Sequence, residues 1–161
     1  MTRASRTLAI GLSTAALGWV SLNGRAAAQT SAASSTDIVV RDAWVRESTG
    51  NRTSSAGYVT IENRGARDVT LTGVAVDGAQ RVELHAMMHG NGQGTMKSVG
   101  QVRIPAHGSV ELAPGGLHAM IFEIAAPFER GKSVTMTLRF DDKQTRTVQA
   151  VVRPLSAMSA R

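Results

Sequence analysis

The stretch "SVTMTLRF", residues 133–140, decides the fold class. Val134, Met136, Leu138 and Phe140 alternate with Thr135, Thr137 and Arg139. Side chains repeating with a period of two leave opposite faces of an extended strand, so one face meets a core and the other meets water. The same pattern recurs outward in both directions. Short runs rich in Val, Thr, Ile and Leu occupy residues 38–45, 56–63, 68–76 and 81–86, then 98–104, 109–112, 117–124 and 145–152. Turn signals separate them: "NRG", "DG", "PAHG", "APGG", "ERG" and "DDK". No long amphipathic helix, internal repeat or second domain interrupts the series. The expectation is an all-β antiparallel sandwich or Greek-key barrel over residues 37–153.

The first 28 residues follow a different logic. Arg3 and Arg6 precede an uncharged, mostly apolar run at 7–22, and small residues Ala26 and Ala28 follow. A basic start, an apolar middle and an A-x-A end describe a secretory signal peptide, cut between Ala28 and Gln29. The apolar run is short of the ~20 residues that a spanning helix needs, so no stable membrane insertion is expected after removal. Residues 29–36 then read as a flexible lead-in and 154–161 as a loose tail. The expected compartment is the periplasm.

Export changes the charge balance. The whole chain carries eighteen basic and twelve acidic side chains. Loss of Arg3, Arg6 and Arg25 leaves fifteen against twelve. The remaining basic residues are scattered, which excludes the clustered positive surface that nucleic acid requires. The chain has no cysteine, so disulfides, thiolate metal sites and thiol chemistry are excluded. Methionine is its only sulfur ligand.

Those methionines are unevenly placed. Four of the six after Met1 fall in two segments, "ELHAMMHGNGQGTM" at 83–96 and "LHAM" at 117–120, together with His85, His89 and His118. His118 and Met120 lie two apart on an expected strand and leave the same face. In residues 81–87, Val82, Leu84 and Ala86 suit the core, which turns Glu83, His85 and Met87 to the other face. Three glycines in "HGNGQG" are expected to break regular structure and let the chain fold back, bringing Met96 beside His85. Packing accounts for other methionines: Met136 is expected in the core, and Met88 falls on the Leu84 face. His89 and His107 read as exposed loop histidines, with weak Cu(II) binding at either as the alternative, since imidazole suits that ion. The "PAHG" and "APGG" turns read as structural, able at most to ring the site.

Two imidazoles and two thioethers, all neutral, suit Cu(I) best. Thioether sulfur matches poorly with oxygen-seeking Mg²⁺ or Ca²⁺, and zinc usually takes thiolate, imidazole or carboxylate. A blue-copper electron-transfer site would need a thiolate.

The spacing of His85, ten residues, Met96, twenty-one residues, His118, one residue, Met120 resembles the H-x10-M-x21-H-x-M signature of the periplasmic PCu(A)C copper chaperones. "DAWVRES", "SAGYVTIENRG", "RVELH" and "IPAHGSVELAPGGLHAMIF" resemble that family too, so the likeness runs from about Ile38 to Val152. The resemblance implies that His85, Met96, His118 and Met120 hold one Cu(I) per chain. It also implies a cupredoxin-like β-barrel and delivery of copper to the CuA centre of cytochrome c oxidase. The recipient would be an oxidase subunit or another assembly metallochaperone. Two departures stand out. The family often writes M-x-M where this chain has Gly94, Thr95, Met96, and the tail offers only Met158 for a second copper site.

The leading expectation is therefore a monomeric copper-transfer protein without enzymatic activity. No Ser-His-Asp arrangement, paired carboxylate or phosphate loop argues for catalysis. A copper redox enzyme and a copper storage or resistance protein are the alternatives.

Overall fold

The computed structural model describes residues 37–90, 93–154 and 156. The expected signal segment, the lead-in and nearly all of the expected tail lie outside them. Ten strands follow one another: β1 (Ile38–Arg46), β2 (Ser54–Asn63), β3 (Val69–Val76), β4 (Ala79–Gly90), β5 (Gln93–Ser98), β6 (Val102–Ile104), β7 (Ser109–Leu112), β8 (Leu117–Ile124), β9 (Ser133–Phe140) and β10 (Thr145–Arg153). Among the described residues none is in an α-helix, and the all-β expectation holds.

The strands hydrogen-bond in the order β5-β4-β8-β2-β1-β10-β9-β3-β6, with β7 pairing β2 beyond β8. Every ladder is antiparallel except β1–β10, which is parallel. The alternation in β9 does what its period dictates: Met136, Leu138 and Phe140 are buried. They join one apolar cluster with Val45, Ile61, Leu71, Leu84, Ile104, Leu112, Ile121 and Val152. Among the described residues β5 is the strand that gives this cluster nothing.

Two local features prepare the other face. In β1 the register with β2 slips between Arg41 and Trp44, where Asp42 adopts φ 54°. This bulge re-aims Trp44 onto Tyr58, with ring centroids 4.2 Å apart. Trp44, Tyr58 and Ala56 form a small buried cluster separate from the main core.

At the loops before β3 and after β6, Asp68 ties the chain together. Its carboxylate accepts the Ala106 N–H at 2.9 Å and Arg103 Nε–H at 2.8 Å. The Ala106 N–H, and then Arg103, hold this carboxyl below the usual aspartate range. A depressed folded-state pKa stabilises the protein above the unfolded value of ~3.9, and that contribution is lost as pH falls through the folded value. Asp68→Asn is therefore expected to unfold earlier than the parent at pH 7 and to lose that difference in strong acid. Thermal midpoints at pH 7 and pH 2 check it; a gap of equal size at pH 2 would remove the charge from the explanation.

Candidate metal centre

The site lies on the face of β2, β8 and β4 that turns away from the main core. Antiparallel pairing sets Glu83 opposite Met120, Leu84 opposite Ala119, and His85 opposite His118. Leu84, Ala119 and Ile121 point into the core, so the alternate residues Glu83, His85, His118 and Met120 share the other face. On the far side of β8, Ala56 stands opposite Met120.

The hairpin of β4 and β5 supplies the rest. The glycine-rich segment was expected to abandon regular structure, but β4 runs to Gly90 and β5 starts at Gln93. Glycine adopts extended backbone as readily as turn, and the ladder satisfies the hairpin's N–H and C=O groups. Met96 therefore arrives by strand register, opposite Met87, while Ser98 is the residue opposite His85.

Arg46, Ala56, Tyr58, Met87, Met96, Gly115, His118 and Met120 line a hollow of about 250 Å³. Three of the four expected ligands thus border one space, and Gly115 brings the "APGG" turn to its rim. The fourth, His85, is not among the lining residues; its ring centroid lies 5.9 Å from that of His118. The "PAHG" turn lies elsewhere, where His107 donates its N–H to Gly65 O at 3.1 Å and leaves its side chain exposed. His89 belongs to β4, and the placement of its side chain lies outside what is described.

Each imidazole has one nitrogen committed and one lone pair free. His118 is 7% exposed, and its Nδ1 sits 3.0 Å from Gly116 O. A carbonyl only accepts, so Nδ1 carries the proton and Nε2 keeps a lone pair. His85 Nε2 sits 2.9 Å from Glu83 Oε2, which assigns the proton of the neutral ring to Nε2. Its Nδ1 is then a buried acceptor, and it has no hydrogen-bond partner among the described residues. Outer partners of this kind fix tautomer and ring orientation in metal-binding histidines. Glu83 is well suited to the role: the hydrogen bond from His85, then Arg81, keep its carboxyl ionised to lower pH than usual.

Soft donors dominate the hollow. Among the described residues no three His, Asp or Glu side chains converge as a site for zinc or a hard divalent cation would require. Tyr58 adds a hydroxyl whose pKa burial pushes up, against a smaller lowering by Arg46, so it remains neutral.

Methionine assignment divides on packing. Met136 is fully buried, as expected. Met88 is not: it is 57% exposed, because β4 outruns β8, whose last partner on it is Ala86 opposite Leu117. Beyond that point no core exists for the Leu84 face to meet.

The family model LpqE-like, described as covering candidate lipoproteins, matches residues 38–152. The chain belongs to this family. It is 33% identical over 132 residues to the candidate lipoprotein Lxx21020 of Leifsonia xyli subsp. xyli, spanning 81% of this chain and 78% of that one. Among solved structures, the Cu(I) form of DR1885 from Deinococcus radiodurans is 31% identical, covering 79% of this chain and 85% of its own, with a TM-score of 0.61. The apo form of DR1885 is 28% identical over 90% of this chain and 97% of its own, with a TM-score of 0.59. The copper-bound PCuAC domain of PmoF2 is 24% identical over 73% of this chain and 93% of its own, and its TM-score of 0.62 shows the shared fold. The LpqE-like chain thus has the cupredoxin-like architecture of PCuAC domains.

Proposed function

We propose that this protein binds one Cu(I) per chain and hands it to a copper-accepting protein outside the cytoplasm, in particular for assembly of the CuA centre of cytochrome c oxidase. The observation that carries the reading is the buried Nδ1 of His85, without a hydrogen-bond partner among the described residues, on a ring whose centroid lies 5.9 Å from that of His118, which borders a hollow with Met96 and Met120. The ligands are His85, Met96, His118 and Met120. All four are neutral when bound, so they favour the +1 ion over hard divalent cations. The Cu(I)-bound relative from Deinococcus radiodurans supports the same cargo.

Transfer follows from where the donors stand. His118 and Met120 sit on the interior strand β8, whereas Met96 is 51% exposed on the edge strand β5. A partner's ligand reaches copper first from the β5 side. Met96 is the donor it displaces, and His85, His118 and Met120 hold the ion until a second bond forms. In a chelator-buffered titration, Cu(I) is expected to saturate at one equivalent, with Zn²⁺ competing far more weakly. Equal competition by zinc would sink the soft-donor reading.

Export completes the proposal. The lipoprotein names of its relatives point outside the cytoplasm, and we assign this chain to the periplasm. A thioether-linked lipid has no attachment point in these 161 residues, which include no cysteine. The mature chain is expected to begin at Gln29, to diffuse freely and to act as a monomer. N-terminal sequencing of the exported protein tests this, and an intact Met1 on membrane-bound protein would replace the shuttle with an anchored donor.

A further inference from the structure

Met87 belongs to no ligand set derived above, yet it borders the same hollow as Met96, His118 and Met120. Resting on the Cu(I) reading, we propose that Met87 is a fifth copper donor, one that takes the ion when Met96 lets go. Three observations support it. Met87 stands directly opposite Met96 in the β4–β5 ladder, so the two thioethers leave neighbouring backbone positions on one face. Its side chain then folds over Gly94: a Cβ placed there would lie 3.5 Å from Met87 Cε and 3.8 Å from its Sδ. The Met87 side chain therefore packs against position 94 at ordinary van der Waals contact. Met87 thus puts a second thioether on the hollow that Met96 borders.

The third observation is backbone anchorage. Met87 N–H donates to Gly116 O at 3.2 Å, and that same carbonyl accepts from His118 Nδ1 at 3.0 Å. One oxygen therefore fixes both the ring that presents His118 Nε2 and the strand position that presents Met87. Met96 has no such tie to β8 and lies on the sheet edge. Loss of Met96 to an incoming partner then leaves copper with His85, His118, Met120 and Met87, instead of with three ligands and an open face. Met87 is a holding donor during hand-over, which is a different task from that of Met96.

The test uses the full chain with ¹³C-methyl methionine, titrated with Cu(I) under reducing, oxygen-free conditions. The methyl resonances of Met87, Met96 and Met120 are expected to shift, while those of Met88 and Met136 stay. Met96→Leu should weaken Cu(I) binding by only about tenfold, the scale of losing one supporting partner of a metal site. Met87→Leu combined with Met96→Leu should lose much more than the product of the single effects, since each covers for the other. Adding Gly94→Met to the double variant should return binding, because position 94 opens onto the same space. The inference is overturned if Met96 and Met120 shift while Met87 does not, or if the two single effects simply multiply. If no methionine methyl moves and no Cu(I) is retained, the copper reading itself has failed, and this one falls with it.

Discussion

Met120→Leu is expected to bind Cu(I) on the order of a hundredfold more weakly, about 2.7 kcal/mol, with the fold unchanged. Leucine nearly matches methionine in volume and such swaps usually cost under ~1.5 kcal/mol, so stability should barely register the change. The loss is one of donor chemistry. Met120 stands on an interior strand with His118, whereas Met87 and Met96 stand one and two strands away and face each other. His118→Ala should cost at least as much and should also alter the pH response. Protons compete with metal at imidazole nitrogen and cannot compete at a thioether. With both imidazoles bound, apparent affinity in acid should fall by up to roughly a hundredfold per pH unit, and by roughly tenfold once one imidazole is gone. Cu(I) affinity against pH, corrected for protonation of the competing chelator, reads both. A slope that His118→Ala leaves unchanged would remove His118 from the ligand set.

The second large effect falls on the other kind of methionine. Met136→Ala is expected to destabilise the protein by about 2–5 kcal/mol, the range for emptying a buried site of this size, and to lower the thermal midpoint by on the order of 10 °C. Its side chain is fully enclosed, and its methyl reaches so close to the backbone of β2 that a Cβ on Gly57 would stand 3.0 Å away. Met136→Leu should stay within ~1.5 kcal/mol of the parent, and the folded fraction of either variant should bind Cu(I) normally. Denaturant unfolding beside a Cu(I) titration separates the two quantities. Weakened copper binding in folded Met136→Leu would mean that this residue does more than pack.

Much of this was legible in the chain itself. Period-two alternation in residues 133–140 named both the strand and its buried face, because a strand's two faces are set by covalent geometry alone. The same rule turned Leu84 inward and His85 outward, and it put His118 beside Met120. Spacing identified the four candidate ligands, since residue type and separation are all that such a signature needs. Absence of cysteine in the 161 residues excludes thiolate chemistry whatever the fold.

Other features required the fold, and each for a reason that sequence does not carry. Met87 and Met88 are neighbours of the same type, yet one borders the hollow and the other is 57% exposed. Alternation puts them on opposite faces, and Met88 is exposed where core was expected because β8 stops against β4 at Ala86, a fact of pairing between segments some thirty residues apart. The glycine-rich hairpin kept its ladder because its hydrogen-bond partners are set by register, and glycine count says nothing about register. The choice of nitrogen on each histidine depends on Glu83 and Gly116, and neither can be assigned as a partner until β4 and β8 are aligned. Local chemistry therefore chose the donors and the strands. Cross-strand register decided which candidate donors border one hollow, which nitrogen of each imidazole is engaged, and which methionine faces Met96.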